Sequence, residues 1–381
     1  MLCDFWAARG FRHTSLRARM GRSLPEVTFD PVAALGAWYD TAARDLPWRR
    51  SRDPWAILLS EVMLQQTRVD VVEPYWTRML ARFPEPRAMA EAPVDDVLSR
   101  WSGLGYYRRA RNLWLCAREI VDRFDGELPA ELEALLSLPG IGPYTAGAVA
   151  SIAFDRPAPI VDGNVARVLS RFLGLAEDPK SSAGQRRLWS EAAALVPADR
   201  PGRFNQALME LGATICTPRS PACAVCPLDR DCVARREGRV GELPVVSPRK
   251  APRTVQLVAV ALRDPAGRAV LARRPQEGLF GGMWEPPMLE VASPAAAARA
   301  LRALGLLDPG ARLRAREEVR HVLSHRELVV TVASGPAPRD LAAARPPPSY
   351  EALGYEDGAV ARGLSTLARK VLAAAPSGVR P

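Results

Sequence analysis

Four of the six cysteines, Cys216, Cys223, Cys226 and Cys232, fall within one short stretch of the chain. The spacing Cys-x6-Cys-x2-Cys-x5-Cys gathers four soft thiolates on a single loop, enough to close a metal coordination sphere. Zinc and a four-iron cluster both accept four thiolates, and on these grounds the two stand open. In Leu138-Pro139-Gly140-Ile141-Gly142-Pro143-Tyr144-Thr145-Ala146, Gly140 and Gly142 permit a tight turn with exposed amides. A helix beginning at Pro143 turns its positive dipole end and free amides outward there, which suits a phosphate and reads backbone rather than bases. The same turn standing alone would be an ordinary structural loop. Two carboxylates complete the set. Glu61 lies beside an apolar helical face, where burial disfavours the charged form and suits a proton donor; the plain alternative is an exposed Glu on an amphipathic helix. Asp162, just ahead of a helix at Val165, is explained locally as a helix cap.

The elements that position these residues are helical from about 30 to 236, with apolar residues three and four apart. Asp53-Pro54 predicts a helix start, with Asp53 as cap, Pro54 in the first turn and Trp55, Leu58, Leu59 and Val62 on the apolar face. Further helices are predicted over 94–101, 108–124, 132–136, 145–154, 165–172, 185–195 and 204–212. The basic, Pro-rich stretch at 237–253 reads as a linker. Beyond it, 254–262 reads as a strand, Asp264-Pro265-Ala266-Gly267 as a turn and 268–272 as the returning strand of a hairpin. A helix over 294–306 and a strand over 328–333 make the second domain α+β. The expected organisation is therefore a basic extension at 1–27, an all-α domain at 28–236, the linker, an α+β domain at 254–372 and a tail at 373–381.

A chain of 381 residues suits two domains. The net charge of +10 favours a polyanionic partner. Nearly all the cations are Arg, with Lys180, Lys250 and Lys370 the only lysines, so a GC-rich genome supplies part of that charge. No apolar run is long enough to span a bilayer, which excludes membrane functions. Clustered cysteines without a disulfide framework indicate a reducing compartment, and a cytoplasmic, nucleoid-associated bacterial protein is expected. Arg9, Arg12, Arg17, Arg19 and Arg22 resemble a transit peptide superficially; a disordered basic extension or an over-called start codon is preferred.

The cysteine spacing, the glycine hairpin, Ser60-Glu61-Val62-Met63-Leu64-Gln65-Gln66-Thr67, Gly103-Leu104-Gly105-Tyr106-Tyr107 and Pro159-Ile160-Val161-Asp162-Gly163-Asn164-Val165 occur in the order found in the adenine glycosylase (MutY) branch of the endonuclease III superfamily. The chain resembles that family strongly over residues 30–236 and weakly over 254–372. The resemblance implies a helix-hairpin-helix glycosylase domain with a 4Fe-4S cluster on Cys216, Cys223, Cys226 and Cys232, followed by a Nudix-like domain. It implies excision of adenine mispaired with 8-oxoguanine or guanine in double-stranded DNA, leaving an abasic site, by a monomer, since no second subunit is needed. Glu61 would protonate adenine, Asp162 would stabilise the oxocarbenium-like sugar, and Asn164 and Tyr144 would steady both. Gln66 and Tyr106 would wedge into the base stack, with Thr67 and Leu104 beside them, while adenine rotates into a pocket lined by Trp48, Arg49 and Gln206. Gly140 and Gly142 would grip the DNA backbone, and Arg219, Arg230, Arg235 and Arg236 either join them or are solvated charges.

Several positions set this chain apart from related proteins. Tyr144 stands where the strand-cleaving branch carries a Schiff-base Lys, and no Lys precedes Lys180, so monofunctional excision is expected rather than a bifunctional pyrimidine-damage glycosylase. In the second domain, Arg299, Arg302 and Ala303 stand where a Nudix box needs acids, so no Mg2+-dependent hydrolysis is expected. Leu323-Ser324-His325 replaces the Phe-Ser-His loop with which the family contacts 8-oxoguanine, leaving Ser324 and His325 as the lesion contacts. The competing non-enzymatic reading is a DNA-binding iron-sulfur protein that senses by redox.

Overall fold

The computed structural model describes residues 29–247, 252–323, 325–356 and 362–375. Among these no helix is long and apolar enough to cross a membrane. Contacts divide the chain into two compact units that interleave along the sequence: 29–58, 129–137 and 141–247 in the first, and 59–128, 138–140 and the chain from 252 onward in the second.

The first unit contains α1 (Pro31–Ala42), the start of α2 (Pro54–Leu64) and, among its later helices, α8 (Pro143–Phe154), α9 (Gly163–Leu173), α10 (Ser182–Leu195) and α11 (Pro201–Thr214). α1 was not foreseen. Its cap Asp30 accepts from the amides of Val32 and Ala33. α9 starts at Asp162, whose side chain accepts from Val165 N, and stops at Gly174 at φ +67°. Its apolar stripe of Val165, Val168, Leu169 and Phe172 packs with Leu35, Leu188, Leu208 and Leu211 in one core. α8 is built from small residues and is buried from Thr145 to Ser151, which lets α11 approach its backbone. At the closest point a Cβ added to Gly202 would meet Ser151 O at 2.4 Å.

The second unit combines the end of α2 with α3 (Val69–Arg82), α4 (Pro86–Ala90), α5 (Val94–Trp101) and α6 (Arg108–Phe124), and also holds the α+β part. In the latter, β1 (Arg253–Arg263) runs parallel to β6 (Arg326–Pro336) and antiparallel to β4 (Met288–Leu289), with β5 (Arg314–Val322) on the outer edge. A second sheet orders β3 (Trp284–Glu285), β2 (Val270–Arg273) and β7 (Ala352–Tyr355). β1 is central and buried on both faces, which is why its sequence is continuously apolar rather than alternating. One face packs Val258, Val260 and Leu262 against Leu301 of α13 (Pro294–Ala303); the other packs Ala259 and Ala261 with Leu367 and Val371 of α14 (Thr366–Ala374).

The expected hairpin between 254–262 and 268–272 is corrected by this topology. The turn forms, with Gly267 N on Asp264 O at 2.9 Å. The returning chain keeps only the bridge Arg263↔Ala269 and then enters the other sheet, where β2 finds partners in β3 and β7. β1 pairs instead with a strand far along the chain, an arrangement that turn chemistry cannot signal.

The α8–α11 contact gives a first test. Gly202→Ala is expected to destabilise the protein by about 1–3 kcal/mol, because the opposing atom is backbone and cannot rotate away. Urea unfolding should show a lower midpoint with an unchanged slope. An unchanged midpoint would mean that the two helices separate freely.

Candidate active site

α9 presents Asp162 and Asn164 at its N-terminus. Asp162 Oδ1 accepts from Val165 N at 2.7 Å and Oδ2 from Asn164 Nδ2 at 3.1 Å. The cap reading and an oriented carboxylate therefore describe the same side chain. Burial raises the Asp162 pKa above the usual value, against the opposing effect of the Val165 and Asn164 hydrogen bonds and the nearby Arg167. Asn164 Oδ1 in turn accepts from Arg167 Nη2 at 2.8 Å. The Tyr144 phenol donates to Met209 Sδ at 3.2 Å.

Of the three residues expected to line an adenine pocket, Trp48 is buried in a short 3-10 turn (Pro47–Arg49). Arg49 Nη2 donates to Glu210 Oε2 at 2.7 Å, and its guanidinium lies over the Tyr39 ring. Gln206 accepts from the Tyr39 hydroxyl at 3.3 Å. Glu210 is the anchor that the sequence did not reveal. It is fully buried, and burial alone would raise its pKa, yet the paired Arg44 and Arg49 outweigh that and hold it at about 2.

In the second unit Glu61 sits near the end of α2 and is 4% exposed, so the alternative reading of an exposed surface Glu does not describe it. The loops expected to carry the wedges converge on a residue that sequence reasoning missed. Arg109, buried in α6, donates through Nη1 to the carbonyls of Val62, Met63 and Gln65, and through Nη2 to Thr67 Oγ1 and the carbonyls of Leu104 and Gly105. Gln66 and Tyr106 are exposed at the tips of these loops, and both adopt left-handed backbone, φ +57° and +48°. Such φ values cost a non-glycine residue on the order of 1 kcal/mol. Leu104 itself is buried.

At the hairpin Gly140 requires glycine, with φ +76° and Asn112 Cβ 2.5 Å from any added Cβ. Gly142 has ordinary φ and open space around it, and it caps α8 without a side-chain hydrogen bond. His325 is exposed beside the β5–β6 turn, and Ser324 lies outside the described residues, as does the extension at 1–27.

The four cysteines line one pocket, together with Ile215, Pro221 and Arg235. Among the described residues no group of three or more His, Cys, Asp or Glu is gathered for a single metal ion; the sulfurs surround a space instead. Burial, then repulsion from the other three sulfurs, pushes Cys226 up to about 11, and burial with repulsion from Cys216 and Cys223 raises Cys232. The amide of Leu228 is aimed at Cys226 and those of Arg235 and Ala234 at Cys232. Such a donor set suits thiolates neutralised by a cationic metal centre. Two arginines of α9, buried Arg171 and half-buried Arg167, hold the loop. Arg171 reaches Thr217 O at 2.7 Å, Pro218 O at 3.0 Å and Leu243 O at 2.8 Å, while Arg167 Nε donates to Cys216 O at 2.7 Å. Arg235 pairs with Asp229, whereas Arg219, Arg230 and Arg236 are exposed.

Residues 59–193 match the HhH-GPD superfamily of base excision DNA repair proteins, and residues 258–374 match the NUDIX domain. The fold and site thus define a helix-hairpin-helix repair glycosylase joined to a Nudix-like domain. The chain is similar to the adenine DNA glycosylase of Mus musculus, 37% identical over 88% of this chain and 76% of that one. It is also similar to that of Mycolicibacterium smegmatis, 48% identical over 53% of this chain and 68% of that one. Among solved structures a thermostable thymine-DNA glycosylase is 31% identical, with a TM-score of 0.50 over 54% of this chain and 95% of its own. The chain belongs to the adenine DNA glycosylase family, hydrolases of N-glycosyl bonds that act in base excision repair.

The Asp162 and Glu210 carboxylates give opposite pH dependences. The raised pKa of Asp162 means that the folded state holds its proton more tightly than the unfolded chain. The resulting stability is present below about pH 3.9 and is lost as pH rises through the folded value. Asp162→Asn, which keeps the cap, should therefore melt above wild type at pH 7, with the gain shrinking on acidification. Glu210 is depressed, so its contribution is present above about pH 4.3 and lost as pH falls towards 2. Glu210→Gln should melt below wild type at pH 7, with the deficit closing in acid. Melting curves of the variants across pH read both, and like signs for the two would refute the assignment.

Proposed function

We propose that this protein excises adenine mispaired with 8-oxoguanine from duplex DNA as a monofunctional glycosylase, with its catalytic part at 28–236 and its lesion-recognition domain at 254–372. The observation that carries this is the half-buried Asp162 carboxylate, fixed through both oxygens and desolvated enough to raise its pKa. An anion whose burial is costly gains most when positive charge develops beside it, so its interaction with an oxocarbenium-like sugar is strongest in the transition state.

Adenine leaves once its N7 is protonated, and Glu61, buried on α2, is the general acid. Asn164 holds Asp162 in place, and Arg167 holds Asn164. Tyr144 offers a phenol where strand scission would need an amine, so the product is an intact abasic strand. Gln66 and Tyr106 fill the stack vacated by adenine, and Trp48, Arg49 and Gln206 line the pocket that receives it. Gly140 and Gly142 grip backbone phosphate; Thr67 and Leu104 support the wedges; Ser324 and His325 contact the oxidised guanine. Cys216, Cys223, Cys226 and Cys232 hold a 4Fe-4S cluster, which, when bound, ties the loop covalently at four points. The four-thiol pocket and its amides support a thiolate-held metal centre, and the resemblance to the endonuclease III superfamily supports a cluster over a single zinc ion.

Single-turnover reactions on a duplex with adenine opposite 8-oxoguanine should yield breaks in the adenine strand only after alkali. Glu61→Gln and Asp162→Asn should each lower the rate by about 10²–10⁴-fold while retaining binding. Breakage without alkali would establish a lyase, and unaffected variants would move the chemistry elsewhere. Purified protein should contain about four irons and four labile sulfides. Cys226→Ser should lose them and melt at lower temperature, whereas stoichiometric zinc in wild type would overturn the cluster assignment.

A further inference from the structure

We infer that the α+β part sets the pose of the Tyr106 wedge through Arg111 and Ser102, so that reading of the base opposite adenine is transmitted to the wedge; this rests on the proposed function above. Both ends of the Tyr106 loop are anchored to that part of the chain. Before the loop, buried Ser102 donates its hydroxyl to Leu364 O at 2.5 Å. One turn earlier Leu98 packs so closely on Gly363 that a Cβ there would meet Leu98 Cβ at 2.8 Å. After the loop, Arg111 of α6 donates through Nη1 to Gln276 O at 2.8 Å and through Nη2 to Gly281 O at 3.3 Å.

The segment that receives Arg111 is shaped around it. Gly282 is buried at φ +70°, and an added Cβ would lie 1.8 Å from Arg111 Nη2. Gly278 at φ +92° and Phe280 at φ +56° hold the same segment in a tight, strained turn. On its far side the Phe280 ring meets His321 of β5 at 6.1 Å between centroids, and Phe280 packs in the same cluster as Leu323. Leu323 opens the β5–β6 turn that carries the proposed lesion contacts. On the near side, Arg109 lies two residues before Arg111 on α6 and binds the carbonyls of Leu104 and Gly105. A continuous packed series therefore runs from the lesion turn through Phe280, the 276–282 segment, Arg111 and α6 to the backbone of the Tyr106 loop. Displacement at the lesion turn moves a rigid helix, because packed interiors do not deform locally. Arg111 is a positioning residue whose contribution is to discrimination between oxidised and normal guanine.

The test compares single-turnover excision from adenine opposite 8-oxoguanine with that opposite guanine, using the full chain. Arg111→Met should lower the ratio of the two rates about tenfold, a typical allosteric coupling, with the rate opposite guanine unchanged within about twofold. Gly282→Ala, which expels the guanidinium by a different route, should do the same, and melting curves of both identify any general loss of structure. Phe280→Ala should also lower the ratio, and combining it with Arg111→Met should give no greater loss than either alone. Equal falls in both rates, an unchanged ratio or additive losses would each overturn the coupling. A wild-type protein with no preference for 8-oxoguanine would overturn the functional reading itself, and the inference with it.

Discussion

The loops that carry the site residues end helices, and the carbonyls they leave without ladder partners are held by buried guanidinium groups. Arg109 takes five carbonyls and a hydroxyl, and Arg171 takes three carbonyls around the cysteine loop. A buried carbonyl without a partner costs about 1–3 kcal/mol, so each guanidinium satisfies several such demands from one point. Burial lowers the Arg109 pKa to about 10, which still leaves it charged at neutral pH. A lysine ammonium is a compact point charge and lacks the planar fork needed to span both loops.

This interaction explains how exposed wedge residues keep costly backbone. Gln66 and Tyr106 each occupy the left-handed region, and the segments on either side of them are fixed to one side chain. Strain at the tips is tolerated because the feet of both loops cannot relax independently. The same device operates around α9, where Arg167 joins Asn164 to the carbonyls of Gly212 and Cys216. The orientation of the proposed catalytic carboxylate and the seat of the cysteine loop therefore share one guanidinium.

Much of the helical frame was legible in the sequence. The bounds of α5 and α6 follow from their apolar periodicity, and Asp162, Pro143 and Gly174 punctuate helices as cap, first-turn and stop residues should. The thiols stood out by their spacing and Glu61 by its apolar surroundings, whereas Asp162, locally a helix cap, stood out only through the resemblance of its segment to the family's. Arg109, Arg167, Arg171 and Glu210 did not, since in a chain this rich in Arg a buried arginine has no mark to distinguish it from a solvated one. Their roles arise from pairings across many residues, as between Arg44 and Glu210 or Arg171 and Leu243. The parallel register of β1 on β6 was hidden for the same reason, and the turn at Asp264–Gly267 suggested the wrong partner.

Asp162 and Glu210 show two ways of burying an anion, and the contrast bears on chemistry. Glu210 has two arginines and is stabilised in the resting protein, which suits a residue that only holds others in place. Asp162 has an amide and an amide side chain, but no guanidinium bonded to it, and its pKa is raised. A direct arginine partner would stabilise the Asp162 carboxylate permanently and weaken its response to a transient cation. Neutral donors orient it without neutralising it, which in the proposed mechanism leaves the electrostatic stabilisation to appear when the sugar becomes positive. The resting protein thus gives up some stability at Asp162, and the arginine-held frame around Glu210 and the loops is what makes that tolerable.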